Sequence, residues 1–367
     1  MNSAGGGYTV LLRSDGTVVA RGLNENGQCD IPPLDKGLSY TQVSAGLYHT
    51  VLLRSDGSVV ACGLNNNRQC NIPPGTYTQV SAGGFHTVLL RKDGRAVACG
   101  RNYCGQCNIP PLDRGGTYTQ VSASSGHTVL LRSDGQVVAC GKNQNGQCSI
   151  PPLEEGISYT QVSAGEDQTM LLRSDGQVVA CGYLRYDLPP VEDGLPYVQV
   201  SAGWNQWPLL LRSDGKVIMY PSDKTEDGVT YVQVSAGVDH AVLLRTDGSA
   251  YACGLNQHGQ CSIPSPEPGT FYVEDRTFHW RDRVLQLDFV SDENEVILTC
   301  LDLAGQEVLR LKAQGSDLAL DAKKRIAEKL HISLQSLQLV LPDGELLATV
   351  CKATPLVTVA ELCKSLG

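Results

Sequence analysis

The chain is poor in charge and has no surplus of basic residues. Only 18% of its 367 residues are charged, and Lys plus Arg number 29 against 38 Asp plus Glu, for a net charge of −9. Phosphate-backbone binding needs a basic footprint, so this balance argues against DNA or chromatin as a ligand. No apolar run reaches the roughly 18 residues of a membrane span. The first residues, Met1-Asn2-Ser3-Ala4-Gly5-Gly6-Gly7, offer neither a basic nor an apolar region, so no signal peptide is expected. Asn-x-Ser/Thr sequons are absent as well, and together these point to a cytoplasmic or nuclear address. Also missing are a phosphate-binding Gly-x-x-x-x-Gly-Lys loop, a Gly-x-Ser-x-Gly elbow and a His-Glu-x-x-His helix. No catalytic residue, cofactor or metal is expected, and the chain reads as a non-enzyme.

What the chain does have is glycine, cysteine and a repeat. It holds 39 Gly and 14 Cys. Leu-Leu-Arg followed by x-Asp-Gly occurs seven times, with the aspartate at Asp15, Asp56, Asp93, Asp134, Asp175, Asp214 and Asp247. One unit runs Tyr40-Thr-Gln-Val-Ser-Ala-Gly46, His49-Thr-Val-Leu-Leu-Arg54, Ser-Asp-Gly, Ser58-Val-Val-Ala-Cys-Gly63, then an Asn-rich loop to Gln69-Cys70 and Pro73-Pro74. Asp-Gly between two apolar β-branched runs signals a hairpin. Consecutive apolar residues in Thr50–Leu53 and Val59–Cys62 fit strands covered on both faces. Proline pairs end each unit because they cannot continue a ladder. With a short strand at Gln69–Cys70, about four strands per unit are predicted. Seven such sheets make a β-propeller, with an open stack of sheets as the rival. Unit one starts at Ser3-Ala4-Gly5 without its first strand, and Gly269–Val273 follows the last unit. The far end is therefore expected to supply a closing strand to blade one.

The pattern Ala-Gly-x-x-His-Thr-x-x-Leu-x-x-Asp-Gly-x-Val, then Gly-x-Asn-x-x-Gly-Gln, resembles the repeat of the regulator of chromosome condensation family across residues 3 to 264. The resemblance implies a seven-bladed propeller within residues 1–273. It departs where the family has an aromatic residue before the glycine and leucine after Gly-Gln, since Cys62 and Cys70 stand there.

Ten cysteines fall on two repeat positions: Cys62, Cys99, Cys140, Cys181 and Cys253, and Cys29, Cys70, Cys107, Cys148 and Cys261. They read as small buried hydrophobes, with disulfides inside a blade as the alternative. Cys104-Gly-Gln-Cys107 is the one C-x-x-C, and zinc is its minor reading. His49, His86, His127 and His240 share a position that other units fill with Gln168, Trp207 and Tyr8, so a hydrogen-bonding role is expected. The seven arginines of Leu-Leu-Arg and the seven turn aspartates alternate around one face of the ring, and they are expected to tie the hairpins together rather than to bind an anion.

Units five and six break the pattern at Tyr183-Leu-Arg185-Tyr186, at Trp204 and Trp207, and at Tyr220. Aromatic residues and arginine are enriched at binding hot spots, so Tyr183, Arg185, Tyr186, Trp204, Trp207 and Tyr220 are the candidate partner contacts.

The tail has a different grammar. Residues 274–294 read as a linker or docking segment. In 295–367, hairpin strands at Val296–Leu303 and Glu307–Lys312, a helix with Ala322, Ile326 and Leu330 on one face, and strands at Leu337–Leu341 and Pro355–Val359 give ββαββ. That order resembles a ubiquitin-like, β-grasp α+β domain, and the resemblance implies noncovalent recognition, because the Gly-Gly tail of conjugation is missing. It places Val340 on the recognised sheet face. The function expected is a monomeric, non-enzymatic scaffold or adaptor for protein partners, linked to ubiquitin or proteasome machinery. Its alternatives are guanine-nucleotide exchange on a small GTPase, implied by the first family, and substrate adaptation for a ubiquitin ligase.

Overall fold

The computed structural model describes residues 2–113, 115–185, 187–191, 194–204, 208–219, 228–267 and 269–273, and the backbone of 283–292, 295–301, 307–314 and 337–340. The chain divides into two units, Met1–Phe278 and His279–Gly367.

The first unit is a seven-bladed propeller, each blade a three-stranded antiparallel sheet in sequence order. In blade two the strands are Tyr40–Ala45, His49–Arg54 and Val59–Gly63, and the register sets Val43 against Leu52 and Leu52 against Val60. The middle strand is buried at its first five positions, as the unbroken apolar run predicts, whereas the outer strand is only partly covered. The fourth strand expected at Gln69–Cys70 is a turn instead. Its backbone is folded onto side chains of its own loop: Cys70 N–H donates to Asn65 Oδ1 (2.9 Å) and Asn67 N–H to Gln69 Oε1 (2.9 Å).

The Asp-Gly hairpins are three-residue loops. In Ser55-Asp56-Gly57, Gly57 N–H bonds Arg54 O (2.9 Å), Arg54 N–H bonds Ser58 O (2.8 Å), and Gly57 takes φ +83°. Asp56 then accepts from Ser58 N–H (2.9 Å), and the turn aspartates Asp15, Asp93, Asp134, Asp175, Asp214 and Asp247 repeat this bond.

The core lies between blades. Seven apolar clusters each join two neighbours, for example Tyr8, Val10 and Leu12 of blade one with Tyr40, Val43 and Leu52 of blade two. The cluster of Ala4, Leu11, Val19, Val242, Leu244 and Tyr272 joins blade seven to blade one, so the ring is closed. Each fully buried side chain of this kind contributes roughly 1.5–3 kcal/mol relative to exposure.

Closure is shared between two stretches distant in sequence. Ser3–Ala4 pairs with Val10 and Thr9 and supplies one part of blade one's first strand. The other part is the expected far-end segment, although it makes a single bridge, Arg13 with Tyr272, and not a full strand. Val273 N–H adds a bond to Leu12 O (3.0 Å), Ser14 N–H one to Phe271 O (2.8 Å), and Asn2 Oδ1 accepts from Leu12 N–H (3.1 Å).

In the second unit, Arg283–Asp292, Glu295–Leu301 and Glu307–Gln314 form an antiparallel meander, and Leu337–Val340 lies parallel to Arg283–Asp292. The stretch 274–294, read as a linker, thus contains a ten-residue strand. Its charges hide an alternation of Leu285, Leu287 and Phe289. The expected hairpin of the two following segments is present. The helix around Ala322, Ile326 and Leu330 and the strand at Pro355–Val359 lie outside the described residues.

Candidate functional site

The polar residues of the repeat are consumed in holding blades together. Each first strand leaves an edge of unpaired N–H groups at the axis, and an unpaired edge invites foreign pairing. The preceding blade covers it. Ser44 Oγ accepts from Ala82 N–H (2.9 Å) and Gln42 Oε1 from Val80 N–H (2.7 Å). Ser3, Ser81, Ser122, Ser163, Ser201 and Ser235 make the same bond to Ala45, Ala123, Ala164, Ala202, Ala236 and Ala4, completing a ring of seven.

A second belt uses the histidines. His49 Nε2 lies 2.9 Å from Thr87 Oγ1 of the next blade, and Thr87 donates its hydroxyl to Gln69 O (2.8 Å). Because that proton is committed, Nε2–H must be the donor to the threonine. His86, His127 and His240 repeat the tie with Thr128, Thr169 and Thr9. Burial depresses the histidine pKa values, to about 4 at His49, about 3 at His86, about 4 at His127, where the Asp167 charge opposes it only in part, and about 4 at His240. The belt stops at blade six. Gln168 replaces the histidine of blade five, and Pro208 and Ala241 replace the next two threonines.

The eleven described cysteines are free thiols, and among the described residues no cluster suits a metal ion. Burial pushes the thiols of Cys62, Cys99 and Cys140 up to about 12 and those of Cys29, Cys70, Cys107, Cys148, Cys181 and Cys261 to about 11, which leaves them protonated and unreactive. Arginines of the Leu-Leu-Arg motif are tied to two kinds of carboxylate. Arg132, Arg173 and Arg212 reach their own turn aspartates, whereas Arg13, Arg54, Arg132 and Arg173 reach Glu267, Asp35, Asp113 and Glu154 of the Pro-rich connections.

Of the four large apolar side chains left exposed among the described residues, Tyr103, Tyr183 and Leu255 lie at the opposite end from the Asp-Gly turns, and Phe271 lies beside the turn of blade seven. Antiparallel order places the hairpins after Ser-Ala-Gly and the Asn-rich loops after each outer strand at one end of the propeller, opposite the Asp-Gly turns. Leu47 N–H bonds Gly83 O (3.3 Å), Gly84 N–H bonds Ser124 O (2.8 Å), and Trp204 N–H bonds Gly237 O (3.1 Å), drawing the hairpins together around the axis.

Trp204 closes that axis. It is 8% exposed, and a Cβ built on Gly84, three blades away, would stand 3.2 Å from its Cη2. The indole therefore fills the middle of the ring, and its hairpin carries one residue more than the hairpin of blade two between the glycine and the Leu-Leu-Arg arginine (Gly203 to Arg212 against Gly46 to Arg54). Trp204→Ala is expected to cost about 3–5 kcal/mol, the effect of emptying a core aromatic site, against under about 0.5 kcal/mol for an exposed position. Urea unfolding at pH 7 measures it.

Of the other candidates, Tyr183 is 53% exposed and Arg185 is exposed beside it, both on the loop end of blade five. Tyr186, Trp207 and Tyr220 lie outside the described residues. Val340 ends the strand parallel to Arg283–Asp292, paired with Gln286.

A further cluster, outside the candidates that the broken repeats mark, lies on blades two and three. Tyr48 and Phe85 rings lie 5.6 Å apart, and the Arg101 guanidinium sits 5.6 Å from the Phe85 centroid and 5.0 Å from that of Tyr103. Tyr103 is 83% exposed. The signal was present: Arg101-Asn-Tyr103-Cys104 stands where blades one and two have Leu23-Asn-Glu25-Asn26 and Leu64-Asn-Asn66-Asn67.

No curated protein matches the sequence. Among solved structures, the chain is similar to the CRINKLY WD40 ectodomain of the Arabidopsis thaliana receptor kinase ACR4, at 21% identity over 72% of this chain and 97% of that one, with a TM-score of 0.58. The ectodomain of the Physcomitrella patens receptor kinase CR4 is 17% identical over 69% and 72%, with a TM-score of 0.57. Saccharomyces cerevisiae Prp20p, whose structure is described with its binding to Gsp1p and histones, is 19% identical over 90% and 85%, with a TM-score of 0.47. Residues 40–69, 77–106, 118–147 and 231–260, in blades two, three, four and seven, match the model of the Regulator of chromosome condensation (RCC1) repeat. Blades two, three, four and seven thus carry RCC1 repeats, set in a closed seven-bladed β-propeller.

Proposed function

We propose that this chain is a non-enzymatic interaction scaffold of the cytoplasm or nucleus, whose propeller binds protein partners through its loop end. One observation carries the reading. The serine, glutamine, threonine and histidine positions that could do chemistry are spent on ties between blades, and among the described residues three of the four large apolar side chains left exposed, Tyr103, Tyr183 and Leu255, lie at the loop end. Free thiols at every described cysteine suit a reducing compartment. Closure of blade one by segments of the same chain, Ser3–Ala4 and the stretch around Tyr272, favours a monomer.

The second unit is proposed to link the scaffold to ubiquitin or proteasome components. The parallel pairing of Leu337–Val340 with Arg283–Asp292 supports an α+β reading, because a strand returning parallel needs a long crossover connection. Proximity labelling with the full chain in its native cell tests both parts. Enrichment of protein partners is expected, with ubiquitin-system components lost in Val340→Asp. A labelled set no different from that of a freely diffusing enzyme overturns the scaffold. Accelerated nucleotide release from a panel of small GTPases shifts the assignment to exchange.

A further inference from the structure

Arg101 lies half-buried between two aromatic rings, Phe85 and Tyr103, where Arg91 and Arg245 each stack on one. Its Nε is buried without a hydrogen-bond partner, like that of Arg91 and those of Arg13, Arg54, Arg132 and Arg173. No carboxylate pairs with it among the described residues, unlike Arg13, Arg54, Arg132, Arg173 and Arg212. The nearest segments of blades two, three and four hold no acid. The loops 64–71 and 101–108 and the hairpins 46–48, 83–85 and 124–126 contain neither Asp nor Glu, while Arg68 adds an exposed cation on the loop of blade two. Asp167, on the hairpin of blade five, is occupied by Lys142 at 2.7 Å.

Stacking fixes the plane of a guanidinium and leaves its edge for a bidentate acceptor. Exposed Tyr103, and half-buried Phe85 and Tyr48 beside it, form an apolar shelf next to that edge. We infer that this sector of blades two and three is a docking site for an acidic peptide segment of a partner protein, with Arg101 taking a carboxylate and the Tyr48–Phe85–Tyr103 rings taking an adjacent apolar side chain. The inference rests on the scaffold reading and narrows it to one sector of one face. Charge complementarity selects the occupant, since the sector is cationic in a chain of net charge −9.

A displayed random-peptide library panned on the full chain tests it. Enriched sequences are expected to pair Asp or Glu with a neighbouring aromatic or aliphatic residue. Their synthetic forms, followed by fluorescence anisotropy, are expected to lose about tenfold or more in affinity with Arg101→Ala and with Tyr103→Ala. Arg101→Lys is expected to recover only part, because it keeps the charge and loses the fork. Unchanged thermal melting of Tyr103→Ala separates lost binding from lost fold.

Enriched peptides without acidic residues, or bound equally by the variants, overturn the site and leave the scaffold reading to its own labelling test. Failure to enrich any peptide overturns it as well. Stronger binding after a phosphoserine replaces the acidic residue reassigns the anion to phosphate and overturns the carboxylate. Arg101-dependent binding of a single-stranded oligonucleotide, which also stacks on aromatic rings and arginine, replaces the peptide altogether.

Discussion

Tyr272→Ala is expected to destabilise the propeller by about 3–5 kcal/mol and to loosen blade one before the others. Tyr272 is 1% exposed and fills the junction of blades seven and one with Leu11, Val19, Val242 and Leu244. Its hydroxyl donates to Pro264 O (2.9 Å), and its N–H reaches Gly248 O (2.9 Å). Tyr77 does the same work at the next-but-one junction, where its hydroxyl donates to Pro73 O (2.6 Å). The difference is covalent. Tyr77 belongs to the continuous strand Tyr77–Ala82, whereas Tyr272 belongs to a segment held to blade one by a single bridge and a few backbone bonds. Losing the ring at Tyr77 should lower stability and leave the order of opening unchanged. The same loss at Tyr272 should release residues 271–273 and expose the amides of Tyr8–Leu12 and Val18–Gly22. Urea unfolding gives the magnitude, and hydrogen exchange of residues 8–22 gives the location. Tyr272→Phe should cost about 1 kcal/mol, since only the hydroxyl and its bond are lost. A Tyr272→Ala protein within about 0.5 kcal/mol of the parent, with blade one still protected, would show that the N-terminal strand closes the ring alone.

That segment was legible because unit one lacks Tyr-Thr-Gln-Val and Gly269–Val273 comes where it would fit. What no single unit discloses is why Gln and Ser recur in Tyr-Thr-Gln-Val-Ser. Their partners are Val80 and Ala82 in the following repeat, 38 residues on, so the bond exists only once the ring has formed. Trp204 shows the opposite limit. Composition marks a tryptophan in a degenerate unit as a surface contact, but the extra residue in its hairpin accompanies an indole set into the axis. Arg101 and Tyr103 depart from the repeat by substitution alone, in a blade otherwise regular, whereas units five and six break it over whole segments. Arg283–Asp292 was obscured because charged positions interrupt its apolar face.

The histidine belt sets the second large expectation, acid unfolding ahead of any carboxylate effect. In the unfolded chain His49, His86, His127 and His240 take up protons near pH 6.5. In the folded chain they do so only near pH 3 to 4. Protonation would add a proton at Nδ1, which at His49, His86 and His240 has no partner, in a site already closed to water. The unfolded state therefore binds more protons throughout this window, so the stability is complete above pH 6.5 and is lost as pH falls toward 4. Each histidine contributes about 1.4 kcal/mol per pH unit there, or about 2 kcal/mol by pH 5. Four together approach the whole stability of an ordinary domain, about 5–15 kcal/mol. Asp15, Asp56, Asp214 and Asp247 are held below the usual carboxylate range by their turn bonds, so their loss begins only near pH 4 and below. Urea midpoints measured from pH 8 to pH 4.5 separate the two groups. His86→Gln removes one titrating group with a residue the fold already accepts at Gln168, and should flatten the curve by about 1.4 kcal/mol per pH unit while moving the midpoint far less at pH 8. A variant with all four histidines replaced by glutamine that keeps the parent's slope would place the acid sensitivity outside the belt.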